Sequence, residues 1–181
     1  MTDYGLLAKQ IVSLAEVDAH WLPVLSNAAA LLWDALDDIN WVGFYLVDPA
    51  TVSGGDMDPD AGVEPGAAPS THDSRTPELR LGPFQGKVAC VRIPFGRGVC
   101  GTAAATKTSQ LVEDVHQFPG HIACDSASNS EVVVPIFKGK QVVGVLDIDS
   151  PSVARFTQED LAGLEQVVKT LEGCANFSDF C

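Results

Sequence analysis

The sequence predicts an α+β domain in which an antiparallel sheet carries helices on one face and loops over a ligand pocket on the other. Three observations predict it. Two helical stretches come first, runs rich in aromatic and β-branched residues then follow one another, and a well-signalled helix closes the chain. This order lacks the regular strand–helix alternation of a parallel sheet.

Leu6, Leu7, Ile11 and Leu14 mark the apolar face of a first helix, and Leu25, Ala28, Ala29, Leu32 and Leu36 that of a second, with Trp21-Leu22-Pro23 as the break between them. Trp41 to Val47 reads as a strand ending in the turn signal Asp48-Pro49. From 49 to 78 the chain turns to Pro, Gly, Asp, Ser and Ala with almost no large apolar residue, too little to offset the entropy of ordering it. This is a flexible insertion loop, expected as an elongated connection between two strands. Leu79-Arg80-Leu81 and Val88 to Ile93 read as further short strands, Val99 to about Thr106 as a helix of small residues, and Gln110-Leu111-Val112 as a short extended piece. Val132 to Phe137 and Val142 to Ile148 are strands joined by a turn at Lys138-Gly139-Lys140. The last helix opens with Thr157 as cap and Asp160 three residues on, a capping box, while Phe156 staples to Leu161, Leu164, Val168 and Leu171 continue the stripe, and Gly173 closes it.

Length and composition set bounds. With 181 residues, 46% of them hydrophobic, the chain is expected to form a single domain over 1–181, with 174–181 as a tail. A net charge of −13, from 11 Lys plus Arg against 24 Asp plus Glu, argues against a phosphate-backbone partner. The first residues lack the pattern of a secretion signal, and no stretch approaches the ~20 apolar residues of a membrane span. Five cysteines, an odd count, fit a reducing cytoplasm and reactive rather than structural thiols.

The chemistry-bearing residues are Cys90, Cys100 and Cys124, followed by Glu131, Asp147 and Asp149. A thiol supplies electrons as thiolate, and a protonated carboxyl delivers the proton that lets an oxygen leave. Asp147 and Asp149 are two apart in a strand, so both point to one side, where one of two crowded carboxylates is pushed toward its protonated form; the alternative is a plain strand end turning at Asp149-Ser150-Pro151. Cys124 falls in a polar loop with His121 nearby, and can be a reactive or an incidental thiol. Cys100 lies in the first turn of a helix, whose dipole favours a thiolate. Cys90 alternates with Val91 in an expected strand, where cysteine is ordinary core; Cys174 and Cys181 carry no companion signal. Trp41 and Tyr45 share strand parity and can both face a pocket, with Phe44 in the core.

Two other patterns are weaker. Cys90, Cys100, His116, His121 and Cys124 contain no tight C-x₂₋₄-C pair, so a zinc site, and any metal, is not expected. Gly96-x-Gly98-x-x-Gly101 fits the dinucleotide fingerprint but without a βαβ unit, so its glycines are expected to serve a tight turn and close packing.

Asn40-Trp41-Val42-Gly43-Phe44-Tyr45, Leu81-Gly82-Pro83-Phe84-Gln85-Gly86-Lys87, Gly96-Arg97-Gly98-Val99-Cys100-Gly101-Thr102, Gly120-His121-Ile122-Ala123-Cys124-Asp125 and Val145-Leu146-Asp147-Ile148-Asp149-Ser150 together resemble the GAF-domain free methionine-(R)-sulfoxide reductases. The resemblance covers nearly all of the chain outside 49–78 and the final residues, and implies a GAF-like fold. It further implies reduction of free methionine-(R)-sulfoxide through a sulfenic acid and an intramolecular disulfide, recycled by thioredoxin with no bound cofactor. It assigns Cys124 as the attacking thiol, Cys90 as its main resolving partner and Cys100 as a second recycling or alternative catalytic thiol; the helix-dipole argument instead favours Cys100 as attacker. Glu131, Asp147 and Asp149 are implied to hold the sulfoxide oxygen and the substrate ammonium, with Trp41 against the terminal methyl and Tyr45 lining the pocket. A homodimer is compatible with all of this. A GAF-like domain also serves as a small-molecule sensor, a binding function without turnover.

Overall fold

In this computed structural model the described residues are 2–49, 76–120 and 127–180. Two helices, α1 (Tyr4–Ala15) and α2 (Trp21–Ala35), lead into a sheet built from β1 (Trp41–Val47), β2 (Glu78–Gly86), β3 (Arg92–Pro94), β4 (Gln110–Val112), β5 (Ser130–Lys138) and β6 (Gln141–Ser150). Helix α3 (Gly98–Thr106) sits between β3 and β4, and α4 (Gln158–Cys174) follows β6. All pairings are antiparallel, in the order β3-β2-β1-β6-β5-β4. Most of the expected insertion, residues 50–75, lies outside the described residues.

Strand alternation divides the core into two layers. Val42, Phe44, Leu46, Val132, Val134, Ile136, Leu146 and Ile148 face α1, α2 and α4. Trp41, Tyr45, Val47, Val133 and Val145 face the other way, where α3 packs through Val99, Cys100, Ala103 and Ala104. Ala89, Cys90, Phe95 and Phe118, all outside strands and helices, complete that second layer. The expected division into a helical face and a loop-covered face holds, with one short helix among the loops. No described helix is long and apolar enough to cross a membrane.

Several local expectations need correction. In α1 the buried face is Leu7, Ala8, Ile11 and Ala15, while Leu6 and Leu14 point outward; the i, i+4 spacing from Leu7 sets the stripe, and the two outer leucines flank it. Trp21-Leu22-Pro23 is no break. Helix α2 starts at Trp21, because Pro23 falls in the first turn, where amides lack intrahelical partners, and His20 Nδ1 accepts the Leu22 amide at 3.2 Å. Residues 88–91 are not a strand: β2 continues to Gly86, paired with Trp41 of β1, so the chain spends the next residues turning back to β3.

The hairpin at Gly139 and the capping box on α4 form as expected, with Thr157 Oγ1 accepting the Asp160 amide and Asp160 Oδ2 the Thr157 amide. Gly173 lies inside α4, which ends one residue later. The chain after it does not trail as a tail. Asn176 donates its amide to Ala19 O at 2.6 Å, and Phe177 is buried.

Candidate active site

Strand register assembles the acids. Across β5 and β6, Glu131 stands opposite Asp149 and Val133 opposite Asp147; across β1 and β6, Trp41 faces Asp149 and Gly43 faces Asp147. The i, i+2 spacing therefore places Asp147 and Asp149 on the α3 side of the sheet, together with Glu131, Trp41 and Tyr45. Helix α3 brings Cys100 into the same space from its first turn, with Sγ 3.9 Å from Glu131 Oε1. Cys100, Glu131 and Asp147 are 4%, 6% and 6% exposed, so their ionisation is governed by desolvation.

Burial raises the Cys100 thiol well above its ordinary range, and the charges of Asp147 and Glu131 raise it further. The expectation of a dipole-lowered thiolate is overturned here: a helix terminus contributes a fraction of a unit charge, while the carboxylates and the loss of water both favour the neutral thiol. Glu131 is also raised well above the carboxylate range, first by burial and then by Asp147 and Asp149, and burial lifts Asp147 to about 6. Both shifts favour a proton held on the pair. Asp147 Oδ1 is buried without a hydrogen-bond partner among the described residues, an acceptor position that they leave open.

Trp41 and Tyr45 form the wall beside these acids. Their rings stack with centroids 5.8 Å apart, and Phe84 stacks on Trp41 at 5.4 Å. The indole Nε1 donates to Lys87 O at 3.1 Å, which fixes the ring's orientation. A Cβ on Gly43 would stand 2.5 Å from Trp41 Cη2 and 2.4 Å from Phe84 Cβ, so only glycine leaves room for the stacked pair. Burial, then the nearby Asp147, Cys100, Asp149 and Glu131, raise the Tyr45 hydroxyl, which stays protonated as a donor. The sequence reading missed Phe84 and Gly43 as parts of this wall. Gly43 had a signal, since it shares parity with Trp41 and Tyr45; Phe84 had only its neighbourhood.

Asp149 is half-buried at the edge of this group, and its charge acts on Glu131, Cys100 and Tyr45. Cys90 corrects its expectation as strand core: it is half-buried in an irregular segment and disulfide-bonded, whereas Cys100 and Cys174 are free thiols. Cys124 and His121 lie outside the described residues. Cys100, Glu131 and Asp147 each offer a donor atom within 4.8 Å of the others, a spacing that can accept a metal ion; Cys90 and His116 do not join them. The Gly96-x-Gly98-x-x-Gly101 stretch does serve turn and packing. Gly96 and Gly98 have φ of 77° and 60°, and a Cβ on Gly101 would meet Pro94 O at 2.3 Å.

Three kinds of relatives share this architecture. The GAF domain family matches residues 22–174. A free methionine-R-sulfoxide reductase of Escherichia coli is 46% identical over 98% of this chain and 91% of its own. One of Saccharomyces cerevisiae is 42% identical over 87% of this chain and 77% of its own. The solved structure of fRMsr of Staphylococcus aureus in complex with its substrate is 47% identical and superimposes with a TM-score of 0.77 over 97% of each chain.

Proposed function

Since this chain belongs to the GAF-domain free methionine-R-sulfoxide reductases, we propose that it reduces free L-methionine (R)-S-oxide to L-methionine, the activity those relatives' names describe, and that it does so by cysteine chemistry. The observation that carries the reading is the buried Glu131–Asp147 pair, which retains a proton beside the Trp41–Tyr45–Phe84 wall.

A thiolate attacks the sulfoxide sulfur while a carboxylic acid protonates its oxygen; the oxygen passes to the cysteine as a sulfenic acid and methionine leaves. A second thiol displaces water from the sulfenic acid to form an intramolecular disulfide, and thioredoxin reduces that disulfide by exchange. No bound cofactor or metal is required.

Cys124 is the attacking thiol in this reading. The raised, buried Cys100 thiol supports giving it the second recycling role instead. The disulfide-bonded state of Cys90 supports its role as resolving partner. Glu131 and Asp147 hold the sulfoxide oxygen and supply its proton, and Asp149, at the rim, pairs with the substrate ammonium. The Trp41 face receives the terminal methyl, and Tyr45 lines the pocket. Because Asp149 expects an ammonium, a methionine sulfoxide inside a polypeptide leaves that half-buried carboxylate unpaired and is rejected. The enzyme works in the cytoplasm and admits a homodimer.

The test is consumption of free methionine-(R)-sulfoxide with thioredoxin, against the S epimer and a peptide-bound sulfoxide. Turnover of the free R form alone is expected. Binding without methionine release would overturn the reading in favour of a ligand sensor.

A further inference from the structure

We propose that the segment 87–91, between β2 and β3, is the docking surface for the protein dithiol that reopens the disulfide at Cys90, with its exposed Val88 and Val91 as the apolar contacts. This rests on the reading above that the catalytic cycle ends in a disulfide.

The geometry is local. Val88 and Val91 are 88% and 67% exposed, while Ala89 and Cys90 between them pack inward against the cluster that contains Trp41 and Tyr45. The segment is tied at both ends: Lys87 O accepts the Trp41 indole, and Val91 O accepts the Leu81 amide at 3.0 Å. Beyond it, Arg92 pairs with the buried Asp48 at 3.1 Å and with Glu78 at 3.0 Å. A single exposed valine is unremarkable on a protein surface. Two that bracket a disulfide-bonded cysteine in the chain, on a segment anchored at both ends, form an apolar rim beside it.

The occupant follows from the chemistry of that sulfur. A disulfide is opened by an incoming thiolate, and an apolar rim favours a partner whose own dithiol sits in an apolar protein surface over a small hydrophilic thiol. The partner's thiolate attacks Cys90 Sγ and forms a mixed disulfide; the bond from Cys90 to its original partner breaks, and that sulfur leaves as thiolate and takes a proton. The second thiol of the reductant then loses its proton, attacks its own sulfur in the mixed disulfide and releases the Cys90 thiolate. Two electrons pass from the dithiol to the protein disulfide, and the reductant ends as a disulfide.

Steady-state turnover of Val88→Glu, Val91→Glu and the double variant, each with thioredoxin and with dithiothreitol, tests this; Val88→Ser and Val91→Ser serve as milder companions. The double Glu variant is expected to raise the KM for thioredoxin about tenfold or more, with dithiothreitol-supported turnover within about twofold of wild type. An unchanged thioredoxin KM overturns the proposal. So does a parallel loss with both reductants in the Glu and Ser series, which would place the valines in the disulfide chemistry itself. Sedimentation adds a third outcome: dissociation of a dimer by the Glu variants with no change in thioredoxin KM makes the patch a contact between copies and overturns the proposal. A wild-type protein that releases no methionine with either reductant sinks the reductase reading, whereas wild-type turnover with dithiothreitol but not thioredoxin sinks the docking alone.

Discussion

Trp41 lies across Gly43, two residues along the same face of β1, with its Cη2 only 2.5 Å from where a Gly43 side chain would begin. The missing side chain lets the indole stack between Tyr45 and Phe84 at the edge of the acid cluster. Gly43 also stands opposite Asp147 in the β1–β6 register, so one glycine borders both the aromatic wall and the buried acid.

Gly43→Ala is expected to push the indole out of the stack at an overpacking cost of about 1–3 kcal/mol. Folding should survive. The variant should show a shifted tryptophan emission and a kcat/KM for free methionine-(R)-sulfoxide lowered at least ~10-fold, the ratio that a 1.4 kcal/mol loss gives. An unchanged emission and rate would remove Trp41 from the substrate wall.

Asp147 predicts a pH signature. Its carboxyl rises from 3.8 to about 6 on folding, so the folded state binds its proton more tightly than the unfolded chain. The resulting contribution to stability is full below about 3.8 and is lost as pH rises through about 6. Asp147→Asn, which carries no titrating group, should flatten the stability profile across that window relative to wild type. Denaturant midpoints measured from pH 4 to 7 read the difference directly, and parallel profiles for the two proteins would contradict the buried, proton-holding assignment.

The cysteines separate by turnover number. Cys124→Ser should release no methionine from a single equivalent of substrate, while Cys90→Ser should release the first methionine and then stop. Cys100→Ser should keep the first release, because burial holds its thiol in the neutral form. Quenched-flow yields of methionine per protein decide the matter. A full first release by Cys124→Ser with none by Cys100→Ser would move the attacking role to Cys100.

Asp149 sits at the rim with its charge acting on Glu131 and Cys100. Asp149→Asn should lower kcat/KM by about 1.5–3 kcal/mol, the range of a hydrogen bond to a charged group, with a thermal midpoint near that of wild type. A normal rate would exclude Asp149 from the substrate contacts.

On the opposite face of the sheet, Asp160 joins three elements: it accepts the Tyr4 hydroxyl at 2.6 Å, caps α4 through Thr157 and pairs with Arg155 at 3.3 Å. Asp160→Ala should cost about 2–4 kcal/mol by losing a cap and stranding a half-buried hydroxyl. Activity well below the melting transition should be unaffected. Tyr4→Phe, which removes only the hydroxyl, should cost less, and equal costs for the two variants would deny Asp160 its capping share.

The site was partly legible in the chain itself. The two-residue spacing of Asp147 and Asp149, the parity of Trp41 with Tyr45, and the Thr157–Asp160 box are local relationships, and strand and helix periodicity fixes them without knowledge of the rest. Cys90 and Cys100 were not legible in the same way. Cys90 was expected in a strand, but β2 uses the preceding residues to pair with β1, and the cysteine falls in the turn that follows.

By itself, then, the sequence determined which strand residues share a face and where the last helix begins, because backbone geometry over a few residues decides those things. Only the tertiary structure decided ionisation and neighbourhood. The helix terminus under Cys100 favours a thiolate, but burial against Glu131 and Asp147 outweighs it. The Trp41–Phe84 stack depends on the register between two strands separated by a long connection. Desolvation and interstrand register are set by groups brought together from distant parts of the chain, and no local pattern records them.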